Sequence, residues 1–124
     1  MAFTKLDNGY YTHSFMHSAA MGTAVEQNVT DGAATVYSVF VDNTANGSAA
    51  SYLKMYDTLP DGGIVQASTE PDYIFQVAQA SRRQFLFPAG LPISNGLSLR
   101  CVADPQTNNV AGPGSSVVVT VLFK

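Results

Sequence analysis

Two histidines, a group of carboxylates, one cysteine and a pair of arginines are the side chains whose type and spacing could support chemistry. His13 and His17 stand four residues apart. On a helix that spacing puts both imidazoles on one face, where they could share a metal ion, but the zinc-protease pattern also needs a Glu after the first His. Ser14 occupies that place. On a strand, at roughly 3.3 Å per residue, the two rings would lie about 13 Å apart. Neither geometry supplies a third ligand, so the pair reads as surface or interface histidines, and no metal or other cofactor is expected.

Asp57, Asp61, Glu70 and Asp72 flank a stretch that holds Pro60, Gly62, Gly63 and Pro71. Paired carboxylates can hydrolyse glycosidic bonds or bind calcium. This stretch lacks the alternating Asp/Asn ligands of a calcium loop, so solvated or turn-capping carboxylates are expected. Cys101, the only cysteine, excludes an internal disulfide. It sits in an alternating apolar run with no base nearby, which suits a small buried hydrophobe better than a nucleophile. Ser/His/Asp sets, phosphate-cradling loops and nucleotide fingerprints are absent from the sequence, and no catalytic residue is expected. Tyr10, Tyr11, Tyr52, Tyr56 and Tyr73 are possible stacking platforms for sugars, although such rings more often anchor cores and interfaces. Asn28-Val29-Thr30 and Asn46-Gly47-Ser48 fit the glycosylation acceptor pattern and are read as chance matches.

The elements that must position these residues are strands. Thr35–Val41 is β-branched and aromatic. The turn residues Asp42–Ser48 follow, and then a strand over Ser51–Asp57 with Leu53 and Met55 on one face and Tyr52, Lys54 and Tyr56 on the other. These two strands are expected to form a hairpin. After a loop over Thr58–Asp72, Tyr73, Phe75 and Val77 alternate with Ile74, Gln76 and Ala78. Arg82 and Arg83 are expected in the next turn, then a short strand through Phe85–Phe87 broken by Pro88–Pro92. Leu97–Ala103 reads as a half-buried strand, Asp104–Ser115 as a second long loop, and Val117–Phe123, apolar on both faces, as a central or covered strand. Towards the N-terminus, Tyr10–Met16 reads as a strand or arm and Gly22–Val29 as a further strand. A helical spacing of His13, Met16, His17 and Met21 competes only weakly. The result is an all-β fold: one β-sandwich domain over residues 21–124, jelly-roll or immunoglobulin-like, with about seven or eight antiparallel strands. Residues 1–20 form an N-terminal arm or first strand.

Composition narrows the function classes. Of the 124 residues 46% are hydrophobic and only 12% charged, against about 25% charged in an ordinary soluble domain. Surface this poorly solvated suits a subunit covered by copies of itself or by a larger assembly. A net charge of −3 with six Lys and Arg is the wrong balance for nucleic acid or an anionic membrane. The N-terminus has no apolar signal region, and no stretch approaches a membrane span, so synthesis and folding in a cytoplasm are expected.

Val36–Thr44 with Tyr52–Asp57, Phe87-Pro88-Ala89-Gly90-Leu91, Ser94-Asn95-Gly96-Leu97 and the Val117–Lys124 strand together resemble small β-sandwich virion proteins of tailed bacteriophages. The resemblance implies a non-enzymatic virion component with no catalytic residues. Its leading form is a capsid decoration, or cement, protein: a homo-oligomer, trimer favoured, that bridges subunits of the major capsid protein. The alternatives are a tail, neck or fibre subunit, or a carbohydrate-binding module. Partner contacts are expected from Phe3, Leu6, Tyr10, Tyr11, Phe15 and Met16 of the arm and from Arg82 and Arg83. Deleting residues 1–16 is expected to abolish particle binding and leave the domain folded.

Overall fold

Strand-forming runs bounded by Gly, Asn, Ser and Pro fold into eight β-strands, with no helix among the described residues, in a computed structural model that describes residues 4–7 (backbone only), 13–58, 68–107 and 111–124. In chain order they are β1 (Thr4–Asp7), β2 (Ser14–Met21), β3 (Ala34–Asp42), β4 (Ser51–Asp57), β5 (Tyr73–Val77), β6 (Arg82–Ile93), β7 (Leu97–Val102) and β8 (Val117–Phe123). A five-stranded sheet runs β1-β2-β8-β3-β6 and a three-stranded sheet β5-β4-β7, with every neighbouring pair antiparallel. The fold is therefore all-β and sandwich-like. Among the described residues no helix is long and apolar enough to cross a membrane.

One core lies between the sheets. β8 alternates buried and half-buried residues, with Val117, Val119, Val121 and Phe123 inward. It is the middle strand of the larger sheet, as its two apolar faces require. Val36, Val39, Val41, Met16 and Met21 join it from the same sheet, and Leu53, Met55, Leu97, Leu99 and Cys101 face it from the other.

Several expectations change. β3 and β4 are not a hairpin, because they belong to different sheets. The connection crosses the top of the sandwich, where Asn43 is fully buried. Its Oδ1 accepts from Asn46 Nδ2 (2.8 Å) and Ser51 Oγ (2.7 Å), while its Nδ2 donates to Ala78 O (3.1 Å). Arg82 and Arg83 lie in β6 rather than in a turn. Nor do Pro88 and Pro92 break β6, because β6 is an edge strand and proline's missing N–H is tolerated there. The ladder with β3 instead shifts register between Val36 and Ser38, beside Gly90, whose φ of +84° puts it in the left-handed region. β7 is buried along its whole length, not half-buried. The expected strand over 22–29 is irregular, yet it runs along β7: Cys101 N donates to Gly22 O (2.8 Å), Glu26 and Leu99 exchange bonds of 2.9 and 3.0 Å, and Val29 N donates to Leu97 O (2.8 Å). His13, Met16, His17 and Met21 follow no helical turn, since residues 14–21 are strand.

Residues 1–20 are not simply an arm. Residues 14–20 belong to β2, which pairs with the central β8, and β1 pairs with β2 in turn. Deleting residues 1–16 would take three residues from β2, including the fully buried Met16.

Candidate functional site

Each sheet has a core face and an outer face, and the two outer faces differ. On the three-stranded sheet the outer positions are Tyr52, Lys54 and Tyr56 on β4 and Ser98, Arg100 and Val102 on β7, facing one another in register. Lys54 stands directly opposite Arg100, and neither exposes any surface. Two cations opposed on one face repel. Each survives because its head group has a hydrogen-bond acceptor: Arg100 Nε donates to Tyr56 Oη at 3.0 Å, and Lys54 Nζ donates to the carbonyl of Gln106. Burial, followed by the Arg100 charge, pulls the Lys54 ammonium below its ordinary value, against a smaller upward pull from the Asp104 carboxylate. The chain thus covers this face itself, and Tyr56, one of the tyrosines considered for sugar stacking, is fully buried beneath that cover. Tyr52 and Tyr73 are half-buried, and Tyr10 and Tyr11 lie outside the described residues.

The five-stranded sheet presents the opposite picture. Its registers align Phe15, Leu122, Ser38 and Leu86 in one row across four strands. The next row is His17, Thr120, Phe40 and Gln84. Leu86 is 65% exposed and Phe15 38%, two of the three exposed large hydrophobics among the described residues. Leu122, Phe40 and Val118 are half-buried. His17 Nδ1 lies 2.8 Å from Thr120 Oγ1, and the His13 ring packs edge-on to Tyr37 at 5.0 Å. The two histidines therefore serve this face as hydrogen-bonding and packing groups. Among the described residues no three His, Cys, Asp or Glu side chains cluster as metal ligands.

The expected contact residues separate on this frame. Phe15 faces outward, and Leu6 stands opposite it in register on β1. Met16 points into the core and is not available to a partner. Phe3, Tyr10 and Tyr11 lie outside the described residues. Arg82 and Arg83 are on β6, three strand spacings or about 14 Å from β2. Arg82 Nε bonds Asp42 Oδ2 at 2.9 Å. The Asp42 carboxyl, held by the Thr44 hydroxyl, the Thr44 N–H and Arg82, sits at about 2. Arg83 stacks over the Phe85 ring at 4.8 Å.

The remaining candidates have structural explanations. Asp57 accepts from the N–H groups of Ser94 (2.9 Å) and Asn95 (2.8 Å) and caps that turn. Burial alone would raise its pKa, but these bonds outweigh it and hold the carboxyl below the ordinary range. Asp72 Oδ2 accepts from Asp57 N at 2.7 Å, Glu70 is exposed, and Asp61 lies outside the described residues. Burial pushes the Cys101 thiol up to about 12, which removes the thiolate a nucleophile needs. Asn46 spends its amide on Asn43 and Ser115, and Asn28 Oδ1 accepts from Gly32 N at 2.8 Å. Both glycosylation patterns are thus turn and corner residues.

Sequence reasoning missed the covered Lys54–Arg100 pair, because strict alternation assigns both to solvent. It also missed the row Leu122, Ser38, Leu86, which exists only through pairing between distant strands. Comparison with protein-family models, curated proteins and solved structures returns no match.

Proposed function

We propose that the chain is a non-enzymatic structural subunit of a tailed-phage virion, a capsid decoration protein that bridges neighbouring major capsid subunits. The observation that carries this reading is the apolar outer face of the five-stranded sheet. Its other face already fills the core, so the Phe15–Leu122–Leu86 row and Phe40 contribute little to folding. Charge on this face gathers at one corner, where Arg82 pairs with Asp42. A broad, weakly charged face suits a rigid partner surface. Contacts of about 1,600 Å², repeated over many copies, hold a shell together without any reaction.

The finer fold reading is a jelly roll. The order β2-β8-β3-β6 faces the 22–29 segment, β7, β4 and β5. Each sheet then alternates early and late strands, as two Greek keys require, and β1 is an added edge strand.

The test is cosedimentation of the full chain with empty capsids of the phage that encodes it. Hundreds of copies per particle are expected, with binding reduced at least about tenfold by Phe15→Glu, since one buried charge outweighs a contact of this size. Absence from capsids, or a few tens of copies confined to the tail, would sink the decoration reading.

A further inference from the structure

We propose that a second copy of this chain docks across the open side of the sandwich between β5 and β6, about a two-fold axis. This contact lies on the open side of the sandwich, shares only Leu86 with the edge of the capsid-facing row, and does not rest on the capsid reading.

β5 and β6 are the edges of their two sheets on the same side of the molecule. The gap between them is filled by three half-buried phenylalanines: Phe75 packs against Phe85 at 4.7 Å and against Phe87 at 5.9 Å. The two edge strands that bound the gap also carry Leu86, 65% exposed, and Ile74, 43% exposed, each turned to the outer face of its own sheet. A half-buried aromatic seam between two edge strands, each with a bare aliphatic side chain on its outer face, is unusual on the surface of a monomer.

The charges at the ends of this seam identify the occupant. Residues 78–81 connect β5 to β6, so Val77 and Arg83 share one end, and Tyr73 lies at the other. Arg83 is exposed, stacks over Phe85 and has no carboxylate partner among the described residues. At the far end, just before Tyr73, Glu70 and Asp72 are both exposed. The seam therefore runs from basic through aromatic to acidic. A two-fold axis through its centre reverses one copy against the other, so that each Arg83 meets the partner's acidic end while ring packs on ring. Such self-complementarity is what an isologous interface requires. Ladder extension along β6 is disfavoured, because Pro88 and Pro92 remove donors from that edge. Side chains, not backbone bonds, then make the contact, and the trimer favoured by the resemblance gives way to a dimer.

The experiment is light scattering with sedimentation equilibrium on the full chain. Wild type is expected at twice 13.1 kDa. Arg83→Glu and Glu70→Arg should each weaken the dimer at least about tenfold by opposing like charges, and the double variant should recover most of that loss. Both positions are exposed, and unchanged urea midpoints will show that the fold is intact. A monomeric or trimeric wild type, or a dimer indifferent to both reversals, overturns the proposal. A monomer that still coats capsids would leave the decoration reading standing, whereas a dimer that ignores capsids would remove that reading and keep this one.

Discussion

The two outer faces of the sandwich solve the same problem in opposite ways. The three-stranded sheet buries its outer face under its own chain, at the cost of enclosing Lys54 and Arg100 side by side. The five-stranded sheet leaves its outer face open, although Phe15, Phe40, Leu86 and Leu122 would gain from cover. Polar side chains are thus enclosed on one face and apolar ones displayed on the other, the reverse of what solvent alone would select. The first face is committed to folding. The second has surface to spare for a partner.

The difference can be broken most directly at Arg100. Arg100→Ala removes a fully buried side chain and the donor to Tyr56 Oη, and is expected to cost about 3–5 kcal/mol in urea unfolding. A cost below about 1 kcal/mol would mean that the covered face is not part of the folding unit.

Gly90→Ala tests the edge of the open sheet. An added Cβ would lie 2.4 Å from Thr35 Cγ2, on a backbone at φ +84°, and should cost about 1–3 kcal/mol. Gly47→Ala, with nothing within 4 Å of its Cβ, is the control and should be close to neutral.

A smaller effect is expected at Asp42. Its carboxyl, at about 2, lies below its ordinary 3.8. A depressed folded-state value adds stability that is complete above about pH 4 and is lost as pH falls towards 2. The site is exposed enough that the gain is modest. Asp42→Asn should flatten the acid limb of the stability curve between pH 4 and 2, measured by thermal melts, because it removes at neutral pH the same modest contribution that wild type loses on acidification. An acid limb identical to wild type would remove Asp42 from the account.

The smallest folding effect belongs to the open face. Phe15→Glu should change the free energy of urea unfolding by no more than about 0.5 kcal/mol while it weakens particle binding at least about tenfold. A loss of stability comparable to Arg100→Ala would show that the face is already used within the fold.

Local pattern was a good guide wherever one strand decides its own environment. The alternation of Leu53 and Met55 against Tyr52, Lys54 and Tyr56 placed the two faces of β4, and the two apolar faces of Val117–Phe123 marked a central strand. It failed where the neighbour decides. The Asp42–Ser48 turn chemistry is the same whether the chain returns to its own sheet or crosses to the other, so the hairpin between β3 and β4 was wrong. Pro88 and Pro92 look like breakers until β6 proves to be an edge.

The sequence by itself determined an all-β chain, poor in charge, with no internal disulfide. Those properties follow from side-chain chemistry and a two-residue period, which act over a few neighbours. Only the tertiary structure decided which outer face is covered, that Lys54 and Arg100 are buried together, and that Phe15, Leu122 and Leu86 form one row. These depend on registers between strands up to about a hundred residues apart, set by how the whole core closes and not by any local run.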